Sequence, residues 1–431
     1  MAFHSGRVTF CRFRVSGDAP AAVNEGTLSL LTEHAFRETD IGAPEEVEIG
    51  FITGEHLLDT QFSYEKNGFG TPGSASGQML LCALRIDTHK VPADVRQAYR
   101  KINEQAAAET NPSGFASKGQ KREAQELAGR QIHEDLAAGR FRKSQSVPLL
   151  WDLAAGMLYL GANSNSAIEA TVRLMRESFN VELELLSAGR LAGEHYRSTG
   201  HTRDWEDLHP SPFTLPPSEA YSEGDDAEGM GPRDPQVPGV PWCAKGIDLK
   251  DFLGNELLLW LWWMVEAHEG AIEVTYADGR SDTVYVTLDK TLEMECAWGV
   301  RGKQSLRASQ GNVGPTRLSE AGAALAGGKW PRKSGMLLSD GEHQWELTLQ
   351  ADQWVVSSAA LPEITDAQGP RELTETRLAL VQRLTLVIDA VYTAFLNQRV
   401  ASNWPARRDA IRKWIGERRE PHHSPSVSMA V

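Results

Sequence analysis

Up to about residue 190, segments whose apolar residues recur at every second position alternate with segments whose apolar residues recur every three to four positions. The first pattern is typical of strands and the second of helices. Strands are predicted at Arg7–Ser16, Glu46–Ile52, Gly77–Ile86, Val147–Leu160 and Val181–Leu186, the fourth as a hairpin that turns near Ala154–Gly156. Amphipathic helices are predicted at Val23–Phe36 and Asn163–Phe179, and Thr53–Gly77 shows no clear period and is expected to be a loop. The pattern predicts an α+β fold with mixed or antiparallel sheets and helices on one face.

A polar, helix-forming stretch, His89–Gln145, interrupts the predicted sheet between Gln78–Ile86 and Val147–Leu160. A first helix, Ala93–Glu109, is predicted from a single apolar stripe, and a second helix at about Lys118–Ala138 follows a break at Asn111–Gly114. The stripe consists of Val95, Tyr99, Ile102 and Ala106. We therefore expect a helical hairpin that projects from the sheet.

Beyond residue 242 the pattern again mixes helices and strands. The predicted elements are a tryptophan-rich helix Phe252–Glu266, a hairpin of Ala271–Tyr276 and Thr283–Leu288, a helix around Leu318–Leu325, short strands Trp345–Leu349 and Trp354–Val356, a long helix Arg371–Val400 and a basic helix Trp404–Glu420. Trp260, Trp262 and Trp263 could form a base-stacking platform. Core packing is the favoured interpretation, because tryptophan supplies large apolar area.

Pro210–Pro241 has almost no apolar period and holds 8 of the 21 prolines with six acidic residues, which predicts a mobile linker. The predicted organisation follows from this break. It comprises an N-terminal α+β domain at 1–88 and 146–209, the inserted hairpin at 89–145, the linker at 210–241, a C-terminal α+β domain at 242–420 and a disordered tail at 421–431.

Charge is distributed unevenly along the chain. The formal net charge is −14, yet His89–Gln145 contains 11 Lys/Arg against 7 Asp/Glu. A basic helical arm on an acidic protein favours binding of a polyanion, because a ligand responds to the electrostatic potential where it binds and not to the net charge of the whole chain. A solvated pair of surface helices is the alternative.

Motifs for catalysis are absent from the sequence. It contains no GxxxxGK[ST], no HExxH and no GxSxG, and its four cysteines are scattered. Met1–Gly17 has no continuous apolar core, and the longest apolar run, Leu257–Val265, is far short of the ~20 residues of a membrane span. We expect a cytoplasmic protein without catalytic residues, metal, cofactor or membrane partner.

Two weaker patterns keep a metal-dependent nuclease open as an alternative. His201 and His209 bracket an acidic stretch, and surface histidines are the favoured interpretation because no third ligand joins them. Carboxylates and a lysine near the second hairpin could imitate a nuclease core. These residues are Asp278, Asp282, Asp289 and Lys290.

Short local matches and the order of elements resemble the bacterial recombination-associated protein family RdgC over about Arg7–Leu186. The matches are the strand Gly77–Ala83 (GQMLLCA), the charged hairpin that begins after a proline, the Arg140–Ser144 run (RFRKS) and the Trp151-Asp152 pair. The resemblance implies a ring-forming architecture in which two protomers close around double-stranded DNA. It also implies non-enzymatic binding with little sequence preference, and restraint of RecA-driven recombination by indirect competition.

In that family a phenylalanine near the end of the hairpin packs across the closing contact, and Phe141 is the matching candidate. This chain is longer and more acidic than the typical member, so its acidic bulk would have to face outward. Phosphate neutralisation by Lys and Arg is sufficient for binding of this kind. The predicted DNA contacts are Arg96, Arg100, Lys101, Lys118, Lys121, Arg122, Arg140, Arg142, Lys143, Arg407, Arg408 and Arg412.

The sequence thus predicts a cytoplasmic, nucleoid-associated homodimer whose partner is duplex DNA. A nuclease is one alternative. A regulator that binds another protein through the acidic segment Pro210–Pro241 is the other.

Overall fold

The computed structural model describes residues 3–38, 47–70, 78–217, 237–300, 302–308 and 314–418. The protein is mixed α+β, with a large antiparallel sheet and eleven α-helices in these ranges, which confirms the predicted α+β class and the antiparallel sheet. Two compact units divide the chain: unit 1 holds Arg14–Leu183, and unit 2 holds Ala2–Phe13 with Glu184–Val431. The chain passes between the units within its first strand and again near residue 183.

Unit 1 carries the hairpin. Its elements, with the two strands that cross the unit boundary, are β1 (Val8–Gly17), α1 (Glu25–Glu33), β2 (Val47–Ile52), α2 (Tyr64–Asn67), β3 (Gly68–Phe69), β4 (Met79–His89), α3 (Ala93–Glu109), α4 (Lys118–Ala137), β5 (Arg142–Asp152), β6 (Met157–Leu160), α5 (Asn165–Phe179) and β7 (Val181–Leu185). The strands β6, β5, β4 and β2 lie side by side in that order, and β3 also pairs with β4.

The β4–β5 pair is the base on which the hairpin stands. The two strands pair in an unbroken antiparallel register from Met79 opposite Asp152 to His89 opposite Arg142. Their apolar central residues are buried, and beneath them the Trp151 and Phe179 rings meet edge to face at 5.3 Å. Because α3 follows β4 directly and α4 leads into β5, the sheet fixes both ends of the hairpin.

Unit 2 is built from twelve further elements and the start of β1. They are α6 (Ala188–Ser198), α7 (Thr202–Glu206), α8 (Phe252–Ala267), β8 (Ala271–Thr275), β9 (Ser281–Cys296), β10 (Lys303–Arg307), α9 (Ser319–Ala326), β11 (Lys329–Ser339), β12 (Gln344–Gln350), β13 (Val355–Ala360), α10 (Pro370–Arg399) and α11 (Trp404–Glu417). The strand order is β10-β9-β11-β12-β13-β1, and β8 also pairs with β9.

The tryptophan-rich helix α8 belongs to the core of unit 2, as its composition predicts. Trp260 and Trp262 are fully buried, and Trp260 packs on Phe395 of α10 at 5.6 Å. Trp262 meets Trp414 of α11 edge to face at 5.8 Å. These side chains are therefore not free to stack on bases.

Helix α10 is the one described helix that is long and apolar enough to cross a membrane by length and composition alone. Within its most apolar 18-residue window, 61% of the window is buried inside the protein. Leu384 and Val387 on this helix are fully buried. Burial of this extent is typical of a core helix, and α10 is a core helix of unit 2.

Several predicted element boundaries were wrong. The expected loop Thr53–Gly77 contains α2 and β3 in its described part, and β9 continues to Cys296 rather than ending at Leu288. The strands β10 and β11 and the helix α6 were not predicted. The β11 sequence contains Pro331 and Gly335, which weaken a strand signal, but pairing with β9 on one side and β12 on the other overrides that local preference.

The proline-rich segment Pro210–Pro241 is only partly described. Its described ends pack in unit 2: the Phe213 and Trp330 ring centroids lie 5.6 Å apart, and the Val240 amide donates to the Ala297 carbonyl at 2.8 Å. Its acidic residues lie outside the described ranges, as does the predicted disordered tail at 421–431.

Candidate nucleic-acid interface

The two helices of the hairpin are joined mainly by polar contacts. The Tyr99 hydroxyl donates to the Asp135 carboxylate, and the Asn103 side chain donates to Gln131 at 3.0 Å. Near the turn, the Asn111 amide group donates to Gln120 at 2.6 Å. A row of cross-helix hydrogen bonds thus runs the length of the hairpin and sets the rotation of each helix about its axis.

Apolar packing in the hairpin is slight. Ala124 and Ala128 of α4 are buried, whereas α3 has no buried residue. The predicted apolar stripe of α3 is therefore wrong in part, because Ile102 is 58% exposed. Of the predicted stripe, Tyr99 does face α4, and Asn103 joins it there in place of Ile102, because both side chains find hydrogen-bond partners on α4. The hairpin surface is consequently open to solvent around most of its circumference.

The charged residues at both ends of helix α4 have the sign that interacts unfavourably with the helix dipole. Its first turn holds Lys118 and Lys121 with no acidic residue, and its last turn holds Glu134 and no basic residue. Cations at a helix N-terminus and anions at a C-terminus are each unfavourable by roughly 0.3–1 kcal/mol. The cations and the positive end of the dipole therefore reinforce each other at the turn of the hairpin, which concentrates positive potential there.

The N-terminus of α4 is held in place by a capping box. The Ser117 hydroxyl accepts from the Gln120 amide, and the Gln120 side chain accepts from the Ser117 amide at 2.9 Å. Capping of this kind keeps the first turn ordered despite its unfavourable charges. The lysines that follow therefore project from a defined helix end.

Five of the predicted DNA-contacting residues are exposed cations of unit 1 that form no ion pair with any described residue. They are Arg96, Lys101, Lys118, Lys121 and Lys143. Their charges are not offset by a neighbouring carboxylate in direct contact. They are accordingly the side chains with the most charge available to an anionic partner.

Three further predicted cations have a carboxylate neighbour on the hairpin. Arg100 pairs with Glu104 at 2.9 Å, and Arg122 approaches Glu126 at 3.5 Å. Arg140 pairs with Asp135 at 2.8 Å. Exposed pairs of this type are worth little, so these arginines can exchange a carboxylate for a phosphate at small cost.

Arg142 is different, because it belongs to a buried ionic network at the base of the hairpin. Its guanidinium contacts Asp87 at 2.6 Å and Glu38 at 2.7 Å, and Arg85 contacts the same Asp87 at 2.8 Å. Burial alone would raise the pKa of Asp87, but hydrogen bonds from Arg85, Arg142 and Ser144 lower it. Arg142 is thus placed as a structural ion-pair partner that fixes the start of β5.

The two phenylalanines of the hairpin occupy opposite ends. Phe141 lies at the root, immediately before β5, with a left-handed backbone at φ 65° and a half-buried side chain. Phe115 lies in the turn between α3 and α4 and is 79% exposed. Sequence reasoning did not single out Phe115, although its position just after the helix-breaking Asn111–Gly114 was the available signal.

The remaining predicted DNA contacts are on α11 of unit 2. Arg407 donates to Gln398, and Arg408 pairs with its neighbour Asp409 at 3.0 Å. Arg412 is half-buried and forms no ion pair with a described residue. Helix α11 thus carries three half-buried arginines of unit 2, and two of them already have a polar partner.

The residues considered for a nuclease do not form one cluster. Asp278 lies in the β8–β9 turn, where its carboxylate accepts from the Arg280 amide at 2.9 Å. Asp282 pairs opposite Val274 near the start of β9, whereas Asp289 pairs opposite Gly335 seven positions later. His201 pairs with Asp204 at 2.6 Å, and His209 contributes only a backbone carbonyl, to Arg399. Within the described ranges no group of three or more His, Cys, Asp or Glu side chains could hold a metal ion.

The fold and this interface define a mixed α+β protein that carries an exposed helical hairpin with cations along both of its helices and in the first turn of α4. No protein-family model matches the chain, and no curated protein matches it either. The geometry and charge of the hairpin are therefore the features that indicate a function.

Proposed function

We propose that this protein binds double-stranded DNA without sequence preference, through the cations of the α3–α4 hairpin. The observation that carries the proposal is the charge pattern of α4, which places Lys118 and Lys121 at the positive end of the helix dipole. Such a helix pays a stability cost in isolation and regains it when an anion binds. Duplex DNA is a polyanion of high charge density, and its binding is driven by neutralisation of phosphates by Lys and Arg side chains of the kind that the hairpin exposes.

The contacts available are of the phosphate-binding kind. The hairpin presents lysine and arginine side chains and a single fully exposed aromatic residue, Phe115, but no side chains arranged to read base edges from a helix in the major groove. Phosphate contacts position a protein on DNA without carrying sequence information. Binding without sequence preference follows from this chemistry.

In the full proposal two copies close into a ring of the RdgC type, with helices on one face of each sheet and the duplex enclosed. Closure of the ring would slow dissociation of the protein from DNA even where each contact is weak. By occupying the duplex, the ring would restrain RecA-type recombination. The sequence resemblance supports this part, and Phe141 is the aromatic residue it indicates for the closing contact. The exposed turn residue Phe115 is a second candidate for that contact, because it needs no rearrangement to meet a partner.

The test is fluorescence anisotropy with labelled duplexes of unrelated sequence, over a range of salt concentrations. We expect equal affinity for all sequences and a linear fall of log K with log salt. If each of the five predicted DNA contacts of unit 1 that lack an ion pair binds one phosphate, the slope is about −4.5 per protomer, and it is steeper where a paired arginine such as Arg122 also exchanges its carboxylate for a phosphate. Binding that is absent, or that does not respond to salt, contradicts the proposal.

The ring is tested separately, with closed and linear DNA. A closed dimer loaded on a circular plasmid should survive a high-salt wash and should be lost once the plasmid is cut, because only then can it slide off an end. Light scattering of the free protein should give the mass of a dimer. Equal loss from circular and linear DNA contradicts closure but leaves duplex binding in place.

A further inference from the structure

A groove of about 490 Å³ opens at the root of the hairpin, in unit 1. One wall is the face of the sheet that carries Lys143 and Gln145 of β5, and the other is the face of α5 that carries Ser166, Glu169 and Arg173. The rest of the lining includes the apolar side chains of Ile86 and Ala170. Mixed walls of this kind suit a ligand that is charged along one side and apolar along the other.

Strand register and helix period account for the placement of these side chains. Lys143 pairs opposite Thr88 and Gln145 opposite Ile86, so alternate residues of β5 point to the same face of the sheet. On α5, positions 166, 169 and 173 recur at spacings of three and four and therefore share one side of the helix. The two elements bring Lys143 and Arg173 to a single groove although they are thirty residues apart.

The two cations of the groove are exposed, and neither forms an ion pair with a described residue. Arg176, three residues beyond Arg173 on the same helix, instead pairs with Glu182 at 2.7 Å. The contrast matters because an arginine without a carboxylate partner keeps its full charge for a ligand. Gln145 and Ser166, also exposed, add neutral hydrogen-bond donors beside the two cations.

The groove also continues the proposed DNA-binding surface. Lys143 is the second residue of β5, and β5 begins where the hairpin ends. Lys143, one of the predicted DNA contacts, therefore lies both at the end of the hairpin and in the groove that Arg173 also lines.

We propose that this groove is a second phosphate-contact site, which takes the sugar–phosphate backbone of one strand of the DNA held by the hairpin. Arg173 and Lys143 bind phosphate oxygens, Gln145 and Ser166 donate to the remaining phosphate and sugar oxygens, and the apolar lining faces the deoxyribose. Glu169 lies in the same groove and opposes binding, so it limits how tightly the strand is held. The inference rests on the proposed function, and it adds Arg173 and Glu169 to the contact surface.

The test compares Arg173→Gln, Glu169→Gln and the matched control Arg176→Gln, in the full-length protein, by salt-dependent anisotropy with one labelled duplex. We expect Arg173→Gln to reduce the magnitude of the salt slope by about 0.9, the share of one phosphate. Glu169→Gln, which preserves shape and removes the opposing charge, should tighten binding. Arg176→Gln should behave as the wild type does.

The outcomes separate this inference from the proposed function. Wild-type protein that fails to bind duplex overturns the proposed function, and the groove site with it. Wild-type protein that binds, with Arg173→Gln equal to Arg176→Gln and with no tightening in Glu169→Gln, overturns the groove site alone. The opposite signs expected for the two groove variants cannot arise from loss of folding, since an unfolded variant would not bind more tightly.

Discussion

The Tyr99 hydroxyl on α3 donates a hydrogen bond to the Asp135 carboxylate on α4, and the same carboxylate pairs with Arg140 at 2.8 Å. Asp135 thus links three parts of the hairpin: both helices and the connection to β5. The hydrogen bond to Asp135 raises the pKa of Tyr99, so the phenol keeps its proton for this bond. In a helix pair with few buried apolar side chains, such polar links decide how well the arm keeps its shape.

Removal of the Tyr99 hydroxyl should loosen the hairpin without unfolding unit 1. In Tyr99→Phe, we expect backbone amides of α3 to lose hydrogen-exchange protection several-fold, because the bond to Asp135 is lost while the ring is kept. Amides of β4 and β5 should be unaffected. Tyr285→Phe, on an exposed tyrosine of β9, is the control and should leave α3 unchanged. Unaltered α3 protection in Tyr99→Phe would show that apolar packing alone holds the helices together.

Neutralising two cations near the turn should weaken DNA binding through its salt dependence. We expect Lys121→Ala with Arg122→Ala to reduce the magnitude of the salt slope by about 2, equally for duplexes of different sequence. The control, Lys303→Ala with Lys333→Ala, removes the same charge from unit 2, where both lysines have glutamate neighbours at 3.7 Å. Equal effects of the two double variants would show that total charge matters and the hairpin does not.

The two phenylalanines make different predictions for the oligomeric state. If the exposed turn closes the dimer, Phe115→Ser should shift the mass measured by light scattering from dimer to monomer at low protein concentration. The free energy of unfolding of the Phe115→Ser variant should change by no more than about 0.5 kcal/mol, as for other surface substitutions. If Phe141 at the root of the hairpin closes the dimer, Phe141→Gly should cause the shift from dimer to monomer instead. Glycine is the suitable replacement because the backbone at position 141 is left-handed. A stable dimer in both variants would place the contact elsewhere.

Two glycines within helices should respond to alanine with opposite signs. In α8, a Cβ on Gly254 would lie 2.1 Å from the Ala351 carbonyl oxygen, so Gly254→Ala should destabilise unit 2 by at least about 1–3 kcal/mol. In α4, a Cβ on Gly129 would meet nothing within 4 Å, and Gly129→Ala should stabilise the helix by about 0.5–1 kcal/mol. Chemical denaturation measures both. A neutral Gly254→Ala would mean that α8 can shift away from the strand it packs against.

The hairpin itself was predictable from the sequence. The apolar strands before and after it, the proline that precedes its first helix and the break at Asn111–Gly114 are local signals, and the structure places α3 and α4 within a residue of the predicted bounds. The burial of Trp260 and Trp262 was predictable for a similar reason, since a nearly all-apolar helix must be covered. The strand β11 was not, because its pairing with β9 and β12 depends on segments distant in the chain.

The chemical roles of individual cations depended on the tertiary structure. Arg142 and Lys143 are neighbours with the same charge, and nothing in the sequence separates them. The pleat of β5 sends them to opposite faces, where Arg142 meets Asp87 and Glu38 and Lys143 lines the groove with Arg173. The sequence alone determined that this arm is helical and basic, because period and composition are local properties. Only the tertiary structure decided which of its charges are already paired, because ion pairs form between residues that folding brings together.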